Sequence, residues 1–381
     1  MKILLLGEYS RLHNSLKEGL EAIGHQVIIV GTGDDFKKYD VNFSINAKIF
    51  SAYWLFRKFK NFFYTLTKFD LGKTEKGIRF YFLLKKLKGF DHIQFINSDA
   101  VETQPKFGLW LYKKLFDNNI SATKSLLVCG DETPVVDFLL KKEFDYSILT
   151  PFFDNPDLQE EFKFTLKYTK KNYRKLFEFV HQNCQSLIVS DLDYKIPMER
   201  MGFSLEFIPN PINVAKIDYS DLKIVDEVVI FLGINRMNYI KKGIIFFEEA
   251  LEIIKRKYPE KVKIIVTENV AYSDYIKSYN EAHILLDMVY AFDQGYNALE
   301  AMSKGKVVFT GASPDFEKQF DLEEKVAIDA LPDTEKIVAE LSFLIENPSE
   351  IIAIGKRARK FIEKEHDYIV IAEKYLDAWE K

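Results

Sequence analysis

Lys2-Ile3-Leu4-Leu5-Leu6-Gly7 is an apolar run closed by a glycine, followed by a helical pattern over 14–23 and a second apolar run over 25–30. A short continuous apolar run reads as a strand buried on both faces, the habit of parallel sheets. Gly7 turns the chain from that strand into the helix. Strand, helix and strand at this spacing open a doubly wound α/β sheet, in which ligands sit at the carboxyl ends of the strands. Working outward, further strand candidates are 91–96, 125–129, 146–149, 186–189 and 205–208, separated by helical patterns such as 107–116 and 160–179. The alternation predicts a Rossmann-like domain over 1–212.

Pro209-Asn210-Pro211 breaks helix and strand alike, and the polar stretch 213–226 reads as a linker. The alternation then restarts, with strands at 227–232, 262–266, 283–287 and 306–309 and helices at 244–257, 273–280 and 296–304. This predicts a second Rossmann-like domain over 227–364. The remainder reads as helical, with breaks at Pro332 and Pro348 and a last helix, 365–381, that packs back on the first domain.

The bulk numbers agree with two globular α/β domains: 381 residues, 47% hydrophobic and 29% charged. A formal net charge of -4 supplies no global positive field for nucleic acid. Cys129 and Cys184 lie far apart, in or beside apolar runs, which suits buried thiols in a reducing cytoplasm better than a disulfide. Met1 leads straight into the first strand, without the core or cleavage site of a signal peptide, and no window approaches the ~20 apolar residues a bilayer crossing needs. The expected location is cytoplasmic, with any membrane contact peripheral. From Trp54 to Lys88, aromatic residues interleave with ten Lys/Arg against Asp70 and Glu75, a local charge of +8. That pattern suits peripheral contact with anionic lipid, and it equally suits a basic face over an aromatic core.

Two constellations carry chemistry. Gly233-Ile234-Asn235-Arg236, then Lys241-Lys242-Gly243 ahead of a helix, puts cations and free backbone N–H groups where a diphosphate could sit. Read alone, it is also an ordinary solvated loop. Asp293-Gln294-Gly295-Tyr296-Asn297-Ala298-Leu299-Glu300-Ala301-Met302 starts a helix at the carboxyl end of a strand, where Gly295 permits close backbone approach and an acid can accept ribose hydroxyls. The same spacing fits an exposed Glu300 over a core of Leu299 and Met302. Asp191-Leu192-Asp193 matches a short metal-binding pattern, but its place between a strand and a helix favours capping. His13, His25, His92, His181, His283 and His366 contain no i, i+4 pair, so no metal and no cofactor is expected.

In order and spacing, Phe231-Leu232-Gly233, Arg236, Lys242-Gly243, Ile208-Pro209-Asn210-Pro211, Ala282-His283-Ile284-Leu285-Leu286-Asp287, Leu299-Glu300-Ala301-Met302 and Gly305-Lys306-Val307-Val308 resemble the retaining glycosyltransferases of family four, which build bacterial surface polysaccharides and glycolipids on the GT-B fold. The resemblance implies that the two domains face each other across a central cleft holding the active site, with a nucleoside diphosphate sugar as donor and a saccharide or lipid-linked acceptor. It implies that Arg236 and Lys242 hold the diphosphate, that Glu300 takes the ribose, and that Gly7 and Gly233 lie at the nucleotide. Where the family places a glutamate eight residues before Glu300, this chain has Phe292, leaving Asp293 or Gln294 as substitutes, with Gly295 and Tyr296 beside the sugar. Where the family places a histidine after the fourth strand, the turn reads Cys129-Gly130-Asp131-Glu132. Asp131 is then either catalytic or the N-cap of the next helix. His13 and Asn14 could reach an acceptor or simply start a helix.

Two other classes compete. A nicotinamide-dependent oxidoreductase would need G-x-G-x-x-G after the first strand, and Gly7-Glu8-Tyr9-Ser10-Arg11-Leu12 has one glycine. A sugar-nucleotide-binding or partner-binding protein of the same fold without turnover is the other, motivated by Phe292 and the missing histidine.

Overall fold

The computed structural model describes residues 1–34, 39–270 and 272–380. It contains two parallel sheets, one per domain. The first has strands β1 Lys2–Leu6, β2 Gln26–Gly31, β3 Phe43–Ser44, β4 His92–Phe95, β5 Thr123–Val128, β6 Ser186–Val189 and β7 Glu206–Phe207, in the spatial order 3-2-1-4-5-6-7. The second has β8 Val228–Ile234, β9 Val262–Glu268, β10 Ile284–Leu286, β11 Val307–Thr310 and β12 Ile328–Asp329, in the order 12-11-10-8-9. Ile3, Leu4, Leu5 and Leu6 are fully buried, as a central strand covered on both faces by helices must be. The doubly wound α/β architecture read from the alternation is therefore present in both halves.

Two sequence expectations require correction. Residues 146–149 form no strand. Their backbone is satisfied locally, by Ser147 N donating to Thr150 Oγ1 at 2.8 Å and Leu149 N to Ser147 Oγ at 3.1 Å, while Tyr146 and Ile148 pack against the core of the second domain. Their apolarity reflects burial between domains rather than in a sheet. The helix expected over 160–179 is broken into a 3₁₀ turn Pro156–Glu160, a short helix Lys163–Leu166, a second 3₁₀ turn Lys167–Thr169 and a helix Lys171–Asn183. The break lets Thr165 bond Asp131, Lys167 bond Asp99 at 3.0 Å and Tyr168 bond Asn97 at 3.2 Å, all at the carboxyl ends of the central strands.

Beyond β1, helix α1 (Leu12–Ala22) lies against the C-terminal helix Tyr368–Glu380. The approach is close: a side chain at Gly19 would meet the Tyr368 carbonyl at 2.1 Å. That last helix buries Ile371, Ala372, Tyr375, Ala378 and Trp379, and the Trp379 indole donates to Gln94 in β4 at 3.1 Å. Residue 381 lies outside the described residues. The chain thus crosses between domains twice, through 213–226 and again near residue 366, and the two crossings touch. Ile212 N donates to the His366 carbonyl at 2.7 Å, and the His366 Nδ1 bonds the Asn210 carbonyl at 2.8 Å.

After β3 come α2 (Lys48–Ala52), α3 (Trp54–Thr67) and α4 (Leu71–Leu83). None of the 14 residues of α3 is buried.

Candidate functional site

In an open parallel sheet the ligand crevice lies where the strand order reverses, outside the carboxyl ends of the two strands that flank the reversal. In the first sheet these are β1 and β4. Gly7, at the end of β1, has φ +84°, and a side chain there would meet Ile96 at 2.3 Å, so only glycine fits. The next residue, Glu8, is buried. Its Oε2 accepts from the backbone N–H of Asn14 at 2.8 Å and from the Asn14 amide at 2.6 Å, while its Oε1 is buried without a partner. Burial pushes its carboxyl up to about 8, against the opposing pull of the Asn14 bonds.

In the second sheet the reversal falls between β8 and β10. Lys242 is delivered there by a short helix, Tyr239–Lys242, which ends at Gly243 with φ +64°. A side chain at Gly243 would meet Val289 at 2.2 Å, so this turn too requires glycine. The Lys242 ammonium donates to Asp287 Oδ1 at 2.8 Å, and the Asn297 amide donates to the same oxygen at 2.8 Å. Asn297 sits in the first turn of the helix Tyr296–Ser303, and its own carbonyl oxygen Oδ1 accepts from the Tyr275 hydroxyl at 2.9 Å. Glu300 follows one turn later. Arg236 is further out, half exposed, with two 2.7 Å bonds to Glu268 and its guanidinium 4.7 Å from the Tyr239 ring centre. Gly233 lies inside β8, where a side chain would meet Tyr275 at 2.5 Å.

The segment Phe292 to Tyr296 forms the seam with the first domain. The Asp193 carboxylate accepts from Phe292 N at 3.1 Å and Asp293 N at 3.3 Å; in return Asp293 Oδ2 accepts from Leu192 N at 3.1 Å. Each domain's carboxylate thus satisfies the other's backbone. Asp191, next to them, has a buried Oδ1 without a partner. Burial raises all three: Asp293 to about 6, Asp193 to about 7 with Asp293 adding repulsion, and Asp191 well above the usual carboxylate range. The capping expected of Asp191-Leu192-Asp193 therefore runs across the domain boundary. The N-cap residue Asp191 makes no side-chain cap, and Asp293 serves the N–H of Leu192. Among the described residues no group of three or more His, Cys, Asp or Glu is placed to hold a metal ion. Gln294 donates to the Gly311 carbonyl at 2.6 Å, Tyr296 donates to the Pro211 carbonyl at 2.7 Å, and Gly295 is exposed at the N-terminus of its helix with open space on its side-chain face. Phe292 stacks on Tyr146, ring centres 5.0 Å apart, and packs on Phe144 at 4.6 Å.

On the first-domain side, Asp131 accepts from the Thr165 hydroxyl at 2.5 Å and lies 4.0 Å from the ammonium of Lys241 in the second domain. It does not cap the following helix. Glu132 does so, accepting from Thr133 N at 2.9 Å and Ser98 N at 2.8 Å. His13 does not face an acceptor either: it is fully buried, its Nδ1 donates to the Gly7 carbonyl at 2.8 Å, and its Nε2 faces Gln94 at 3.1 Å. Burial lowers it to about 4, so it is a neutral packing residue. Asn14 is held by Glu8 and by the Asp40 carbonyl at 3.0 Å.

The structure therefore brings Lys242 and Glu300 to one helix N-terminus, sets Arg236 at the rim of the same turn, and gives Asp293 and Asp131 separate partners. Sequence reading missed Asp287 and Asn297, which fix Lys242, although Asp287 ends a strand at the reversal. It also missed Arg11, which with Ser15, Ile212, Asn213, Ile217, Tyr296 and Glu300 lines a small pocket between the domains. Glu300 and Glu18 raise the Arg11 guanidinium against its burial.

Residues 241–377 match a family model described as glycosyl transferase-like. No curated protein is similar enough in sequence to count as a match. Among solved structures, the sucrose-phosphate synthase tll1590 of Thermosynechococcus elongatus aligns over 100% of this chain and 98% of its own, with TM-score 0.63 and 13% identity. Anabaena Alr3699/HepE, solved with UDP and glucose, aligns over 100% of both chains at TM-score 0.60 and 12% identity. The UDP-GlcNAc 2-epimerase of Neisseria meningitidis, bound to UDP-GlcNAc, aligns over 99% of both at 0.53 and 12%. At these identities the likeness establishes the architecture, two facing Rossmann-like domains of the GT-B type, and not the reaction.

Proposed function

We propose that this chain is a glycosyltransferase that moves a hexose-type unit from a nucleoside diphosphate sugar to a saccharide or lipid-linked acceptor in cell-surface glycan synthesis, at the cytoplasmic face of the membrane. The observation that carries the reading is the placing of Lys242, through Asp287 and Asn297, at the N-terminus of the helix Tyr296–Ser303, with Glu300 one turn on. A helix N-terminus with an adjacent cation suits a diphosphate, and a carboxylate one turn on suits ribose hydroxyls. The match of residues 241–377 to a glycosyl transferase-like family supports transfer over the epimerisation that the same fold also hosts. Uridine nucleotides, present in two of the similar structures, are the first donors to test.

In this reading the diphosphate takes Lys242 from Asp287, and Arg236 swings from Glu268 to the distal phosphate. Their charge neutralises the leaving nucleotide as the glycosidic bond breaks, without a metal and with retention of configuration. Gly7 lets the first-domain turn approach the same phosphates without binding them, since Glu8 occupies the N-terminus of the helix that follows. Asp131, already facing the seam, is the carboxylate best placed for the sugar. Asp293 must first release the backbone N–H groups of Leu192 and Gln294.

Phe292, stacked across the seam, favours a second reading, donor binding without turnover. One experiment separates these readings. Wild type and a Lys242→Met/Glu300→Ala variant are screened by thermal shift against nucleoside diphosphates and their sugars, and then for nucleotide release. Stabilisation and release by wild type alone support transfer; stabilisation without release supports binding only. The absence of any stabilisation at millimolar ligand overturns both.

A further inference from the structure

Helix α3 reads Trp54-Leu55-Phe56-Arg57-Lys58-Phe59-Lys60-Asn61-Phe62-Phe63-Tyr64-Thr65-Leu66-Thr67. At ~100° per residue, Leu55, Phe56, Phe59, Phe62, Phe63 and Leu66 share one face, while Lys58 and Lys60 flank it and Arg57 lies behind. In a soluble helix that face would be covered. Here Leu55 is 71% exposed, Phe59 53%, Phe62 64% and Leu66 68%. A contiguous exposed apolar face of this kind marks an interaction surface.

The charge around the face selects the partner. No Asp or Glu occurs between residues 41 and 69. The two acids that follow are turned inward: Asp70 caps α4 by accepting from Gly72 N at 2.8 Å, and Glu75, buried, accepts from Ile49 N at 2.9 Å, Phe50 N at 3.1 Å and Arg79 at 2.8 Å. Among the described residues Arg57, Lys58, Lys60 and Lys68 have no carboxylate partner, and Lys58 lies instead over the Trp54 ring at 4.2 Å. A second copy of this face would meet it with like charge. Its 14 residues span roughly 20 Å, short of a bilayer core of ~30 Å. No helix among the described residues is long and apolar enough to cross a membrane.

We propose that α3 is an interfacial anchor, lying in the plane of an anionic lipid surface with Leu55, Phe59, Phe62 and Leu66 in the acyl boundary and Arg57, Lys58 and Lys60 among the headgroups. Glu75 ties the start of α2 to α4, and α3 packs against both of these helices. Because β3, which leads into it, pairs with the carboxyl end of β2, it stands on the cleft side of that sheet. A lipid-linked acceptor would therefore reach the cleft along the surface the anchor grips.

The test is flotation of the full chain with vesicles of phosphatidylcholine alone and with added phosphatidylglycerol, without donor, so that the outcome is independent of any transfer activity. Wild type should float with the anionic vesicles only. Phe59→Ser/Phe62→Ser and Arg57→Glu/Lys58→Glu/Lys60→Glu should each weaken partitioning by about a hundredfold, and a reversal of the exposed Lys255 and Lys261 should leave it unchanged. Equal flotation of wild type and both variants, or no flotation of wild type, overturns the proposal. So does light scattering that finds a lipid-free dimer converted to monomer by Phe59→Ser/Phe62→Ser, which would assign the face to a second copy.

Discussion

The turn after β1 and the turn after β8 occupy equivalent places, each beside the reversal of strand order in its own sheet, and they are built for opposite purposes. After β1 the protein fills its own anion site: the buried Glu8 carboxyl accepts the backbone N–H of Asn14 in the first turn of α1, where a phosphate would otherwise bind. After β8 no carboxylate occupies the turn itself. Lys242, Lys241 and Arg236 project from it, each toward a partner on another element, namely Asp287, Thr165 and Glu268. Equivalent places at the two reversals thus leave the anion-binding capacity of the molecule in one half. The first turn trades ligand affinity for a packed interface.

If the second turn is the ligand site, Lys242→Met should have the largest effect, lowering kcat/KM for sugar transfer by ~10²-fold or more, because its charge acts on the developing diphosphate in a partly buried place. Glu300→Ala should come next, weakening nucleoside diphosphate affinity about tenfold in a calorimetric titration, as expected for lost hydrogen bonds to a charged acceptor. A larger effect of Glu300→Ala than of Lys242→Met would move the centre of binding from the phosphates to the ribose.

The first turn is tested through pH. A carboxyl raised in the folded state costs nothing below its unfolded value and destabilises progressively as pH rises toward the folded value. Stability should therefore fall from about pH 4.5 to about 8 through Glu8, and from about 4 to 7 through Asp193. Glu8→Gln and Asp193→Asn should each flatten that part of the stability–pH curve, by up to roughly 4–5 kcal/mol. An unaltered curve in Glu8→Gln would mean that Glu8 is not the occupant of the helix N-terminus. Arg236→Ala should have the smallest effect on the fold, with Tm unchanged because its ion pair is exposed, while the stabilisation by added diphosphate shrinks.

Legibility in the sequence followed the range of the forces involved. β1, Gly7 and Gly243 could be read because continuous apolar runs and tight turns are local requirements, whereas Gly233, read as the end of a strand, lies inside β8. Residues 146–149 looked like a strand for the same local reason. Their burial comes from Phe292 and the second domain, which no window around 146 contains. Asp191-Leu192-Asp193 was legible as a capping sequence but not as a cap on Phe292 and Asp293, a hundred residues away. His13 and Asn14 sit where a ligand residue could sit, and only the third dimension shows the first beneath the turn and the second committed to Glu8. Lys242 stood out as a cation ahead of a glycine, whereas Asp287 and Asn297, which aim it, lay within longer motifs that gave neither of them a role.

The two interdomain crossings are fastened to each other at Ile212 and His366, and that has a kinematic consequence. A single strap would let the halves swivel; two straps pinned side by side make a door hung on one axle, with rotation permitted and twist opposed. Ile212 and Asn213 line the pocket that holds Arg11, Tyr296 and Glu300, so that pocket lies beside the axle and would move least in such a rotation. A swing of this door would gate the sugar end of a donor while leaving its ribose end nearly at rest.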